Sequence, residues 1–196
     1  MRYILASKSP RRREILGNIG LEFSVVTADT DESCSLTDPI ALCEELALRK
    51  GLAVRELLQS KDELDPEDVI ISADTVVECG GHILGKPADR QDAKTMLELL
   101  SGKRHRVLSG IALSVGGETY VSHSESFVCF EELSDADIER YLDSGEPYDK
   151  AGAYGIQGLA SIYVKGIEGC YFGIVGLPIN ELDRLHRRAL GRSLLG

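Results

Sequence analysis

What the chain lacks narrows its class before any motif is considered. Its apolar runs fall well short of a membrane span, and no segment is low in complexity or repeated at a fixed period. The opening residues Met1 to Ala6 give way to polar Ser7 and charged Lys8, too early for the apolar region of a secretory signal, so a cytoplasmic location is expected. There is no C-x-x-C pair. The five cysteines, Cys34, Cys43, Cys79, Cys129 and Cys170, are odd in number and widely spread, which reads as reduced thiols and argues against a zinc site. No G-x-S-x-G, H-E-x-x-H or paired histidine at ligand spacing occurs, so serine-hydrolase and zinc-protease chemistry have no support. An excess of positive charge is also missing. The formal net charge of −10 over 196 residues argues against general affinity for nucleic acid or anionic membranes, which need a broad basic face.

Basic charge is instead concentrated in Ser7-Lys8-Ser9-Pro10-Arg11-Arg12-Arg13, directly after a short apolar strand, Tyr3 to Ala6. Ser9 can cap a helix whose first residue is Pro10, and the free N–H groups of its first turn suit a phosphate. Arginines there oppose the helix dipole, an arrangement that a purely structural helix seldom chooses. A solvated basic turn after an edge strand accounts for these residues equally well. Distant acidic side chains do not cancel such a cluster, since charges are screened beyond about 8 Å at physiological salt.

Further along, Glu22 to Thr27 alternates like a strand and leads into the acidic stretch Asp29 to Glu32. Asp38-Pro39 opens a helix from Ile40 to Leu58 with an expected apolar face of Leu42, Leu46, Ala53 and Leu57, and with Lys50 on it. Val69-Ile70-Ile71 reads as a short buried strand ending at Ser72 to Val77, which puts Asp74 at a strand end. Gly80-Gly81 turns a hairpin, Asp89 caps the next helix, and residues 107–115 and 119–130 form a long hairpin through Gly116-Gly117. Ser134 caps a helix ending near Leu142. The stretch from Glu146 to Gly158 has no usable period and is long enough for a functional loop. Two strands are expected at residues 161–165 and 169–175, followed by an amphipathic helix from Pro178.

Gly80 to Lys86 spells G-x-x-x-x-G-K, but Pro87 stands where a Walker A loop needs Ser or Thr, so that reading fails. Arg11, Arg12, Glu32, Lys50, Asp74, Lys86, Asp149 and Lys150 remain. Together they offer what hydrolysis of a phosphoanhydride needs: cations for the phosphates, and carboxylates to hold a divalent metal and activate water. Taken singly, Asp74 reads better as a strand-end Asp bonded to a turn, and Glu32 as part of a solvated acidic loop.

The ordered motifs Ser7-Lys8-Ser9-Pro10-Arg11-Arg12, Ala73-Asp74-Thr75-Val76-Val77, Gly85-Lys86-Pro87, residues 149–158 and Val175-Gly176-Leu177-Pro178 resemble the Maf family of nucleoside triphosphate pyrophosphatases. The resemblance covers nearly the whole chain as a single domain. It implies an α/β fold with a long mixed sheet between helical lobes, akin to the inosine triphosphate pyrophosphatases, and a nucleotide cleft. It further implies hydrolysis between the α- and β-phosphates, with a divalent cation, Mg²⁺ or Mn²⁺. The sequence after Ala151-Gly152 resembles the branch acting on dTTP and UTP.

By resemblance Asp74 is the proton acceptor, Glu32 a carboxylate near the metal, and Arg11, Thr75 and Gln157 are linked to base selectivity. Ser7, Ser9, Arg12, Lys50, Lys86, Asp149 and Lys150 complete the expected substrate-binding set. Gly173 stands where many members carry Asn. A homodimer is expected on the same ground. Action on modified nucleotides, or nucleotide sensing in cell division without useful turnover, are the alternative expectations.

Overall fold

The computed structural model describes residues 1–196. In chain order the elements are β1 (Tyr3–Leu5), α1 (Pro10–Asn18), β2 (Phe23–Val25), α2 (Pro39–Ser60), β3 (Val69–Cys79), β4 (His82–Leu84), α3 (Arg90–Leu100) and β5 (Arg104–Val115). They continue with β6 (Glu118–Phe130), α4 (Asp135–Asp143), β7 (Val164–Glu168), α5 (Tyr171–Val175) and α6 (Ile179–Leu190). The seven strands form one sheet in the order β2-β1-β3-β5-β6-β7, with β4 paired to β3. It is mixed: β1 runs parallel to β2 and β3, whereas β4 on β3 and β7 on β6 are antiparallel. The expected α/β class with a mixed sheet and flanking helices is what the chain adopts. No helix is long and apolar enough to cross a membrane.

Two compact units divide the chain, one formed by residues 1–74, 109–124 and 176–196, the other by residues 75–108 and 125–175. In the first, Asp38 caps α2 by accepting the Ala41 N–H at 2.8 Å, as the Asp-Pro pair predicts. The buried face of α2 is Cys43, Leu46, Ala47, Gly51, Val54 and Leu58. Of the expected face only Leu46 belongs to it. Size decides the outcome. Ser72 of β3 donates its hydroxyl to the Ala47 carbonyl at 2.7 Å, and a Cβ added at Gly110 of β5 would meet the Cys43 carbonyl oxygen at 2.2 Å. A helix lying that close to strands must turn its smallest side chains toward them, and the larger Leu42 and Leu57 are displaced to its flanks. Ile4 and Ala6 of the first strand region, Ile70, Val54 and Leu58 pack into one apolar cluster on this arrangement.

The second unit has its own core, including Val77, Leu97, Leu100, Val107, Phe130, Ile138 and Tyr154. Asp89 caps α3 by accepting the Asp92 N–H at 2.9 Å, and Ser134 with Asp137 forms a reciprocal capping box on α4. His105 is buried and shares a hydrogen bond of 2.8 Å with the Tyr154 hydroxyl.

Two expectations require correction. Residues 171–175 are a helical turn, not a strand: Ser126 Oγ accepts the Cys170 N–H at 2.9 Å, and the Ile174 N–H closes onto the Cys170 carbonyl at 3.1 Å. The preceding strand is Val164–Glu168, later than expected. The third strand is also longer than its apolar run suggests. It continues through Asp74 to Cys79, so Asp74 lies inside a strand and not at its end.

Candidate functional site

The turn after β1 brings Ser7 and Arg12 together. Ser9 stands at the N-cap of α1, yet its side chain makes no capping bond there. Its backbone N–H instead donates to Ser7 Oγ at 3.2 Å, and Arg12 Nη1 donates to the same oxygen at 3.1 Å. Arg12 Nε donates to the Gly176 carbonyl at 2.8 Å. Ser7 therefore acts as a double acceptor, and the Arg12 guanidinium is gripped from two sides. Burial pushes the Arg12 pKa below the ordinary arginine value; Asp74 and Glu32 oppose that shift and Arg11 adds to it. Guanidinium stays protonated under such shifts, so the turn keeps a fixed, partly desolvated cation facing two carboxylates.

Those carboxylates meet on Lys50. Its Nζ lies 2.6 Å from Asp74 Oδ1 and 2.9 Å from Glu32 Oε1. Asp74 and Lys50 are largely shielded, with 12% and 19% of their side chains exposed, while Glu32 at 56% is open to solvent. The close seating of α2 on β3 explains the geometry, since Ala47 is tied to Ser72, two residues before Asp74 and one helical turn before Lys50. Burial, with Asp74 and Glu44 adding to it, pushes the Cys43 thiol up to about 12, so that cysteine is an inert neighbour and not a nucleophile.

Asp74 and Glu32 form a hard-oxygen donor pair of the kind that Mg²⁺ or Mn²⁺ uses with one or two protein carboxylates, water and substrate phosphates. No group of three or more His, Cys, Asp or Glu side chains suited to a metal ion exists in the chain, this pair included. A cation held by two carboxylates depends on its substrate for further oxygens.

The remaining expected site residues belong to the second unit. Thr75 follows Asp74 on β3, and strand alternation sends its side chain to the opposite face. Lys86 is exposed just after Gly85, whose carbonyl accepts the Gly152 N–H at 3.0 Å, tying Lys86's neighbour to the glycine-rich loop. Lys150 Nζ donates to the Glu146 carbonyl and to Asp149 Oδ1, both at 2.6 Å. Glu146 organises the loop: its carboxylate accepts the Leu159 N–H at 2.8 Å and the Tyr141 hydroxyl at 3.0 Å. A Cβ at Gly158 would lie 2.2 Å from Glu146 Oε1, so any other residue there would push that carboxylate from its place. Gln157 is exposed.

Two contributors escaped the sequence reading. One is the Gly176 carbonyl, a backbone atom 164 residues from the Arg12 it holds. The other is Arg49. It donates to the carbonyls of Ser33 at 2.9 Å and Asp31 at 3.4 Å, while Glu45 accepts from its Nε at 2.7 Å. The i,i+4 spacing of Glu45 and Arg49 was the available signal, though it marks a helix pair as readily as a loop clamp.

Fold and site together define an α/β protein with a cationic turn facing a carboxylate pair. The chain belongs to the Maf family, since the family described as "Maf-like protein" matches residues 2–189. It is 50% identical over 180 residues to a dTTP/UTP pyrophosphatase of Hahella chejuensis, covering 92% of this chain and 88% of the relative. A dTTP/UTP pyrophosphatase of Dechloromonas aromatica is 44% identical over 203 residues, covering 99% and 100% of the two chains. Among solved structures, the Ham1 protein of Staphylococcus aureus aligns with a TM-score of 0.46 at 15% identity, covering 66% of this chain and 72% of that one.

Proposed function

We propose that this protein is a nucleoside triphosphate pyrophosphatase that hydrolyses dTTP and UTP to the nucleoside monophosphate and pyrophosphate. The observation that carries the reading is the convergence of Asp74, Glu32 and Lys50 beside the Ser7–Arg12 turn. The names of its relatives support the choice of substrate. Ser7, Ser9, Arg11, Arg12 and Lys50 bind the triphosphate and take up its charge, and Lys86, Asp149 and Lys150 are further substrate-binding residues in this reading. Asp74 and Glu32 would hold a divalent cation, Mg²⁺ or Mn²⁺, which when bound neutralises phosphate charge and makes water more acidic. Asp74 accepts the proton of the attacking water. Thr75 and Gln157 take part in base selection. The enzyme works in the cytoplasm on free nucleotides, without a nucleic-acid partner, and as a homodimer.

Phosphorus NMR of dTTP incubated with the protein and Mn²⁺ tests the reading. Pyrophosphate and dTMP are the products expected; dTDP with inorganic phosphate, or no turnover on any triphosphate, would overturn it.

A further inference from the structure

The ammonium of Lys50 contacts the same two carboxylates that are suited to hold a metal, at 2.6 and 2.9 Å. One oxygen of each carboxylate, Asp74 Oδ1 and Glu32 Oε1, is therefore already engaged by a positive charge. A divalent cation and this ammonium compete for the same lone pairs and repel one another at close range. With Lys50 in place the trio carries a net charge of about −1, a weak attraction for a hydrated ion that gives up its water reluctantly. Lys50 also has somewhere to go. Its stem is long and flexible, and Arg12, which senses both Asp74 and Glu32 electrostatically, fixes the anion-binding turn nearby.

We propose that Lys50 is a placeholder for the metal: it keeps the Asp74–Glu32 pair closed to free divalent ions until a triphosphate draws its ammonium away. The inference rests on the functional reading above and adds to it a linkage between metal and substrate. The triphosphate supplies an anion for Lys50 and oxygen ligands for the ion in one event, so metal and nucleotide each tighten the binding of the other. An amine holds the two carboxylates in their places without a bound ion, and the free protein does not sequester metal.

Mn²⁺ binding measured by electron paramagnetic resonance, without nucleotide, tests this on wild type, Lys50→Met and Lys50→Gln. Thermal melts of each variant establish that it is folded. Both variants should bind Mn²⁺ at least about tenfold more tightly than wild type, since a competing charge is gone. Adding Asp74→Asn to Lys50→Met should abolish the gain. In wild type, saturating α,β-methylene dTTP should bring Mn²⁺ affinity to within about threefold of the Lys50→Met value, after subtraction of the Mn²⁺–nucleotide complex in solution. Wild-type affinity in both folded variants, or a gain that survives loss of Asp74, would overturn the placeholder. Failure of the functional reading shows separately, as absence of pyrophosphate release by wild type at saturating Mn²⁺.

Discussion

Arg49 donates to the Ser33 carbonyl at 2.9 Å and so pins the loop that carries Glu32 to the helix that carries Lys50. Its partners are Glu45 and the carbonyls of Asp31 and Ser33, so an effect on the site would run through the placement of Glu32. Arg49→Ala removes hydrogen bonds at the protein surface and should leave stability nearly unchanged. The loosened carboxylate should raise the metal concentration for half-maximal rate several-fold and lower kcat by about tenfold, because small displacements in a site are costly. Arg49→Lys should restore part of the loss. A metal titration of activity that is unchanged in Arg49→Ala would show that the clamp is incidental.

Arg12 presents a guanidinium already held by Ser7 Oγ and the Gly176 carbonyl, so in the proposed role it would meet a phosphate without first being ordered. Arg12→Ala should raise KM for dTTP by about tenfold or more at low salt. The penalty should shrink as salt rises, since screening weakens the lost attraction in the wild type as well. KM measured across an ionic-strength series checks both parts; equal KM values at low salt would exclude a phosphate contact.

His105 sets a pH dependence unrelated to catalysis. Burial pushes its pKa down from 6.5 to about 4. The unfolded chain therefore takes up this proton near pH 6.5 while the folded chain resists until about pH 4. The stability that neutral His105 contributes is complete above pH 6.5 and falls away as pH drops toward 4, by on the order of 3 kcal/mol. Denaturant unfolding of wild type and His105→Gln from pH 4 to 8 should give curves that converge as pH falls. Parallel curves would mean that His105 does not titrate in this window.

Gln157 is exposed at the end of the glycine-rich loop, free of the packing that holds Tyr154 in the core. Its amide can pair with the N3–H and carbonyl edge that uracil and thymine share and cytosine lacks. Gln157→Leu should therefore lower kcat/KM for dTTP and UTP by about tenfold while leaving that for CTP nearly unchanged. An equal fall on all three nucleotides would assign Gln157 to the loop and not to the base.

Local features were legible in the sequence, and long-range ones were not. The caps at Asp38, Asp89 and Ser134 lie within three residues of the N–H groups they serve, so residue type and spacing reveal them. The Gly80-Gly81 hairpin is local in the same sense. By contrast, the buried face of α2 depends on how near a strand from elsewhere in the chain approaches, which hydropathy spacing does not encode. The α5 turn depends on Ser126, 44 residues from the Cys170 amide that it accepts. In the site, Asp74 and Glu32 read singly as structural or solvated residues, and only the set of charges taken together and the family resemblance marked them with Lys50. That a single ammonium joins them, across 24 residues to Asp74, is a tertiary fact. The Gly176 carbonyl has no side chain to announce it.

Pyrophosphate release from dTTP and UTP by wild type and Asp74→Asn, side by side at saturating Mn²⁺, tests the central claim most directly. The amide keeps the shape of Asp74 and leaves Lys50 paired with Glu32, so the variant should fold and bind nucleotide. It loses the charge that would hold the metal and the proposed proton acceptor, and kcat should fall by at least about 100-fold. Turnover by Asp74→Asn within about threefold of wild type would contradict the account.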